Sequence, residues 1–142
     1  MSPMMIEAGW SETYIIGYEA IDVQHEELFR LCEDIFSSTD DAVIENKFIS
    51  FKESMKLHFN QEDILMKFIE YPDLEAHTLL HDELARKMET MSIRSMADFP
   101  ALVDFVKTGM VTHVKDHDMK IAEFRNQYNL EIETQPAPLY EL

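Results

Sequence analysis

Four segments of the chain carry apolar residues at helical spacing, and the apolar face of every segment also carries histidine. Residues three or four apart lie on one face of a helix, so this pattern predicts four amphipathic helices. With only 3 glycines and 5 prolines, the chain has few turn residues, which favours long helices joined by short connections. We therefore predict an all-α fold, an up-down-up-down four-helix bundle. The predicted helices run from about Asp22 to Ser37, Ala42 to Glu70, Asp73 to Met91, and Asp98 to Gln127.

A chain of 142 residues is one ordinary domain in length. Residues 1–20 lack a helical period, and we interpret them as an extended N-terminal arm that packs across the bundle. Residues 21–127 form the predicted bundle, and residues 128–142, which lose the period and contain two prolines, form a C-terminal tail or linker. Such a tail is consistent with a fused or partner signalling domain.

The helix ends are also marked in the sequence. Asp22 is the predicted N-cap of the first helix, and the polar run at residues 37–41 is predicted to break the chain and supply a new cap. Pro72 is expected to end the second helix, because proline disfavours helical geometry at the residue before it. Asp73 and Asp98 are the predicted caps of the third and fourth helices.

Charge and composition exclude several classes of partner. The net charge of −16 repels nucleic acid and anionic lipid, so neither is expected to bind. The first ten residues do not resemble a secretory signal, and no stretch approaches the ~20 apolar residues that span a bilayer. We expect a soluble cytoplasmic protein. Cys32 is the only cysteine, which leaves neither a disulfide framework nor a thiolate metal site.

All six histidines fall on faces that the apolar pattern assigns to the core. A single buried histidine is more often a hydrogen-bonded core residue than a metal ligand. Six imidazoles directed at one bundle axis would leave many polar nitrogens to satisfy in an apolar interior, and a metal site resolves that cost. The six are His25, His58, His77, His81, His113 and His117.

The spacing of these histidines sharpens the metal prediction. His77 and His81 lie one helical turn apart, as do His58 and Glu62 on the preceding helix. Imidazole and carboxylate without thiolate suit iron, manganese or zinc. One zinc takes about four ligands, so the larger donor set here indicates two ions. The Glu-x-x-His motif of ferritin-like sites occurs nowhere in the chain, which argues against that class.

The motifs, in their order and spacing, resemble those of the hemerythrin family over about residues 10–125. Trp10 and Gly17 also match positions found in bacterial members. The motifs that carry the resemblance are Ile21-Asp22-Val23-Gln24-His25 with Leu28-Phe29, His58-x3-Glu62, His77-x3-His81 and His113-x4-Asp118.

The resemblance implies two iron ions joined by an oxo or hydroxo bridge. It assigns one coordinatively saturated iron to His77, His81 and His113. It assigns the other iron to His25 and His58, with one open position, and makes Glu62 and Asp118 the bridging carboxylates. Two ferrous ions carry a charge of +4, and two carboxylates with one hydroxide remove three of these charges, so burial is tolerable.

The fourth helix offers His113 three possible partners, which are Asp116, His117 and Asp118. Simple helical geometry favours His117, four residues on, because Asp118 lies about 140° away at 3.6 residues per turn. The family uses the carboxylate five residues on, so the resemblance favours Asp118 and leaves His117 beside the centre or at the helix edge.

The resemblance also implies an apolar pocket for the bound gas, with Leu28, Phe59 and Met110 as its walls. The family often has a bulky aromatic residue four positions before the last ligating histidine, where this chain has Gly109. This difference is either simple repacking or a wider route to the metal, with faster ligand exchange and autoxidation.

The function implied by the resemblance is reversible binding of dioxygen by a protein that is not an enzyme: a carrier, a store or a sensory domain. The alternatives are a di-iron enzyme acting on peroxide or nitric oxide, and iron sequestration. The sequence supplies no general acid or base beside the open iron, which argues against the enzyme. Five histidines with only two carboxylates suit a fixed pair of ions rather than mineral growth.

Overall fold

The computed structural model describes residues 10–127, and these form a four-helix bundle without strands among them. This confirms the predicted all-α bundle, whose successive helices are joined by short connections. A 3₁₀ turn, Met96–Asp98, precedes the last helix. The helices are α1 (Glu19–Phe36), α2 (Asp41–Phe68), α3 (Leu74–Glu89) and α4, which covers residues 99–127. The predicted tail, residues 128–142, lies outside the described residues.

Helix α4 is composite. It begins as an α-helix at Phe99–Asp104, has π-helical turns at Phe105–Val111 and Val114–Asp118, and ends as an α-helix at Met119–Gln127. The sequence predicted one regular helix here, because apolar periodicity does not distinguish a wide turn from a standard one. The π-helical turns contain or flank both candidate metal ligands of this helix, His113 and Asp118.

The predicted cap at Asp22 is wrong. Helix α1 begins three residues earlier, with Tyr18 at the N-cap position. The Asp22 carboxylate accepts hydrogen bonds from the backbone N–H groups of Ile16, at 2.8 Å, and Gly17, at 3.1 Å. Asp22 therefore fixes the incoming arm against the first turn, with Gly17 in the left-handed region at φ 89°.

The other predicted caps differ in how they act. Asp40 caps α2 by accepting from the N–H of Val43 at 3.2 Å, as the polar run predicted. Asp73 and Asp98 occupy the N-cap positions of their helices, but neither side chain makes the capping hydrogen bond. The Asp98 carboxylate instead accepts from the N–H of Arg94 at 2.8 Å, which closes the preceding loop.

Two apolar clusters fill the interior. A layer of buried histidine and carboxylate side chains, called the polar level below, separates them. One cluster includes Leu28, Phe59 and Met110, and the other includes Ile21 and Leu65. Every helix contributes to both clusters, counting partly buried residues, so each passes from one cluster to the other through the polar level. Burial of these clusters keeps the polar level in place. The single cysteine, Cys32, is fully buried in the first cluster.

The segment that precedes α1, residues 10–18, packs on the bundle. It contains a short 3₁₀ turn, Glu12–Tyr14. The Tyr14 ring stacks on Phe29 with 5.1 Å between ring centroids. Arg125 of α4 donates to the carbonyl of Gly17 at 3.0 Å, and its guanidinium lies 4.2 Å from the centre of the Tyr18 ring. The arm is thereby held against both the first and the last helix.

None of the helices within residues 10–127 is long and apolar enough to cross a membrane.

The end of α2 stores backbone strain at Glu70. The N–H of Tyr71 bonds to the carbonyl of Met66 at 2.9 Å and that of Glu70 to Lys67 at 3.2 Å, which is the Schellman pattern. The pattern needs a left-handed residue, and Glu70 supplies it with φ 56°. A residue with a Cβ pays roughly 1 kcal/mol for this conformation, and glycine does not.

We predict that Glu70→Gly raises the free energy of unfolding by about 1 kcal/mol in urea denaturation, because it relieves this strain. The matched control is Glu53→Gly, which places glycine at an exposed position in the middle of α2 and should lower stability by a similar amount. Equal losses for the two variants would contradict the strain at Glu70.

Candidate metal centre

Seven polar side chains from all four helices meet between the two apolar clusters. Each is nearly inaccessible to solvent, with at most 6% of the residue surface exposed. They comprise five imidazoles and two carboxylates: His25 from α1, His58 and Glu62 from α2, His77 and His81 from α3, and His113 and Asp118 from α4. These are the seven metal-site residues predicted from the sequence, and the fold brings all of them together.

Glu62 lies between two sets of imidazoles. Its Oε1 atom is 2.8 Å from Nε2 of His77 and 2.9 Å from Nε2 of His81. Its other oxygen, Oε2, is 3.1 Å from Nε2 of His58. The two oxygens of one carboxylate thus face histidines of two different helices.

Asp118 has the same arrangement. Its Oδ1 atom is 3.0 Å from Nε2 of His77 and 3.1 Å from Nε2 of His113. Its Oδ2 atom is 2.9 Å from Nε2 of His25. Both carboxylates therefore direct one oxygen to the set formed by His77, His81 and His113, and the other to the pair formed by His25 and His58.

The donor atoms separate into two groups that could each hold a cation. Within each group, one donor atom per residue lies within 4.8 Å of every other. Glu62 and Asp118 belong to both groups, which is the arrangement expected of bridging carboxylates. The first group adds His77, His81 and His113, and the second adds His25 and His58.

Several of these donor atoms lie close to one another without the geometry of a hydrogen bond. His25 Nε2, His113 Nε2 and both oxygens of Asp118 are buried and have no hydrogen-bond partner within residues 10–127, although they lie about as close as hydrogen-bonded atoms. Buried polar groups are normally paired. Lone pairs that converge on common points, rather than on each other, fit a cation at each point.

The electrostatics of the cluster favour positive charge. Burial alone would raise the pKa of Glu62, but the surrounding imidazoles, His58 foremost, lower it well below its usual range. Burial and the neighbouring Glu62 oppose ionisation of Asp118, yet His113 and His25 outweigh them and lower its pKa too. Two buried carboxylates that stay ionised need cationic partners.

The histidines respond to the same pair of carboxylates. Burial would lower the pKa of His25 and His77, but contact with Asp118 and Glu62 raises both to about 9. The same balance raises the pKa of His113 to about 10. His58 behaves differently, since burial lowers its pKa more than Glu62 raises it. The cluster binds protons strongly, and a metal ion would take their place.

The π-helical turn explains the spacing in α4. In a regular helix Asp118 would point well away from His113, but a π turn bonds residue i to i+5 and brings the fifth residue back to the same face. Asp118 is fully buried. The expectation that all six histidines face the core is wrong for His117, which is half-buried and belongs to neither donor group.

A small apolar cavity adjoins the second donor group. Its volume is about 20 Å³, enough for one molecule the size of water. His25, His58 and His113 line it, whereas His77 and His81 do not. The predicted pocket residues Leu28, Phe59 and Met110 are all among its walls, together with Phe29, Met55, Leu84, Val114 and Asp118.

Sequence reasoning missed two polar residues behind the imidazoles. Gln24 Oε1 lies 2.6 Å from Nδ1 of His58, and Asp63 Oδ1 lies 3.1 Å from Nδ1 of His81. A histidine that binds metal through one ring nitrogen usually donates the N–H of the other to a hydrogen-bond acceptor. Both residues adjoin candidate ligands in the sequence, which was the available signal, but sequence alone did not fix their direction.

Fold and cluster together define a class: four-helix-bundle proteins with a buried histidine and carboxylate cation site. The Hemerythrin HHE cation binding domain model matches residues 16–124. Relatives include a "Myohemerythrin" of Theromyzon tessulatum, 28% identical over 78% of this chain and 88% of its own length. A "Hemerythrin-like protein" of Naegleria gruberi is 24% identical over 78% of this chain and 87% of its own. The chain belongs to the hemerythrin family.

We predict that His77→Ala reduces cation binding far more than His117→Ala. His77 Nε2 lies within 3.0 Å of both carboxylates, whereas the ring of His117 contacts the cluster only from outside, 5.5 Å from the ring of His113. Elemental analysis after loading with ferrous ion under anaerobic conditions measures the difference. Equal losses in the two variants would make His117 a ligand.

Proposed function

We propose that this chain binds dioxygen reversibly at a non-haem di-iron centre. The observation that carries the proposal is the pair of buried donor groups that share Glu62 and Asp118, with an apolar cavity that touches both histidines of the second group but only His113 of the first. A carrier, a store and a sensory domain would all use the same reversible binding of dioxygen at this site.

The proposed ligand set follows the division of the donors. His77, His81 and His113 would hold one iron, and His25 and His58 the other. Glu62 and Asp118 would bridge the two, each with one oxygen toward either ion. The two carboxylates offset half the charge of two ferrous ions, and an oxo or hydroxo bridge would offset more, which makes burial of the pair tolerable.

The donor chemistry fits iron, one of the metals that imidazole and carboxylate together bind. Imidazole and carboxylate without thiolate suit iron, and the only cysteine is buried elsewhere in the core. Two ferrous ions would supply the two electrons that dioxygen accepts when it binds reversibly. Imidazoles that bind a metal ion are neutral donors, so the five histidines would add no negative charge to that of Glu62 and Asp118.

The position of the cavity supports binding of the gas at the iron with fewer ligands. The cavity touches both His25 and His58 but neither His77 nor His81. With five protein donors the first group comes close to a full coordination shell, whereas the second group has four. The apolar walls would admit a small neutral molecule and disfavour water and charged products.

The surroundings of the cavity support reversible binding over enzymatic turnover. Apart from the candidate ligands, its walls are apolar, formed by side chains such as Phe29, Met55 and Met110. Apart from those candidate ligands, no carboxylic acid or imidazole among residues 10–127 lines the cavity to transfer a proton during turnover. Relatives named myohemerythrin are consistent with a binding protein, and this chain would share that role.

Oxygen titration tests the proposal. The protein, loaded anaerobically with ferrous ion to two irons per chain, should develop a visible charge-transfer band with oxygen, and the band should disappear on deoxygenation. Repeated cycles distinguish reversible binding from oxidation. Irreversible oxidation of the irons would contradict reversible binding, and steady consumption of peroxide or nitric oxide would favour an enzyme.

We propose that the gas reaches the cavity from an outer cleft of about 290 Å³ between α3 and α4. Leu84 and His113 line both the cleft and the cavity, so they form the wall between them. Gly109 faces Leu84 in this wall, and a Cβ atom at position 109 would crowd Leu84 at 3.1 Å from its Cδ2 atom. The small residue at 109 therefore gives the Leu84 side chain room to move.

We predict that Gly109→Ala slows both association and dissociation of oxygen, because the new methyl group presses Leu84 toward the cavity. The ratio of the two rates, and so the affinity, should change little. Stopped-flow mixing and flash photolysis measure the rates. Thr108→Ala, at the outer rim of the cleft, is the control and should leave both rates unchanged. If neither the association rate nor the dissociation rate changes in Gly109→Ala, the glycine reflects repacking of the core and not a wider route to the metal.

A further inference from the structure

The two sides of the metal centre have different hydrogen-bond partners behind their imidazoles. On the side of His77, His81 and His113, Nδ1 of His81 lies 3.1 Å from the carboxylate of Asp63. On the other side, Nδ1 of His58 lies 2.6 Å from the side-chain oxygen of Gln24. One partner carries a negative charge and the other is a neutral amide.

The direction of both hydrogen bonds follows from the other ring nitrogen. Nε2 of His81 and Nε2 of His58 face Glu62 at 2.9 Å and 3.1 Å, inside the cluster. When Nε2 gives its lone pair to a cation, the proton of the neutral ring must reside on Nδ1. Nδ1–H therefore donates to Asp63 in one case and to Gln24 in the other.

The partner's charge changes how well the imidazole donates electrons. A carboxylate that accepts from Nδ1–H increases the basicity of the ring and holds its orientation, and a neutral amide orients the ring with less effect on basicity. Asp63 is itself oriented, since the Thr78 hydroxyl lies 3.4 Å from the same carboxylate oxygen. Its side chain is 25% exposed, so water partly screens its charge.

We propose that Asp63 and Gln24 are positioning residues that make the two metal positions unequal. Asp63 strengthens the position of His77, His81 and His113, and Gln24 orients His58 without that electrostatic contribution. The first position then fills first and empties last. This inference rests on the division of ligands given under the proposed function.

Cobalt(II) titration of the apoprotein under anaerobic conditions tests the inference without any oxygen chemistry. Competition with a chromophoric chelator resolves the two binding steps. His25→Ala removes a donor from the second position only and so identifies the weaker step. Circular dichroism and thermal melts of each variant establish that the bundle is intact.

The variants form a reciprocal set. Asp63→Ala should weaken the tighter step by roughly 10- to 100-fold and leave the weaker one unchanged, with Asp63→Asn between it and the wild type. Gln24→Leu should weaken the other step, whereas Gln24→Glu, which still accepts from His58, should strengthen it. Asp82→Asn, at an exposed position on α3, is the control for loss of one surface charge and should alter neither step.

The outcomes separate the two proposals. Suppose that the wild-type protein binds two cobalt ions, but the Asp63 and Gln24 variants change neither binding step or change both equally. This result would contradict the unequal positions and leave the proposed two-ion centre intact. A wild-type protein that binds only one cobalt ion would contradict the two-ion centre itself. Asp63→Asn and Gln24→Glu preserve shape, so they keep the test decisive if a larger substitution unfolds the chain.

Discussion

Two ionised carboxylates in the middle of an apolar bundle are the constraint on which the remaining structure depends. Glu62 and Asp118 are almost completely inaccessible to solvent, and each stands among imidazoles from several helices. A buried charge without a partner costs several kcal/mol, so the cluster needs positive charge at its centre. Protons supply some of that charge, and a pair of cations supplies it with better geometry.

The fold serves this constraint by holding seven donors in a level between two apolar clusters. Each helix passes from one cluster to the other, so its position along the bundle axis is fixed on both sides of the site. The π-helical turns of α4 bring Asp118 onto the face of His113. The local widening is therefore tied to the site, as is common for such turns.

Sequence patterns predicted the bundle and the convergence of the seven residues, because apolar periodicity and histidine spacing both report which side of a helix faces inward. They failed where the local backbone departs from regular geometry. The 3.6-residue period alone favoured His117, whereas the family resemblance favoured Asp118, and the π turn supplies the physical reason that the period could not. Asp22 was misassigned as a cap because its bonds reach back to Ile16 and Gly17 in the arm, whose path the helical pattern does not describe.

A crystal structure of the iron-loaded protein, with anomalous data collected at the iron edge, tests the central claim most directly. The account predicts two anomalous peaks per chain, with Glu62 and Asp118 touching both. His77, His81 and His113 should surround one peak, and His25 and His58 the other. A single peak, or a peak bound by His117 in place of Asp118, would contradict it.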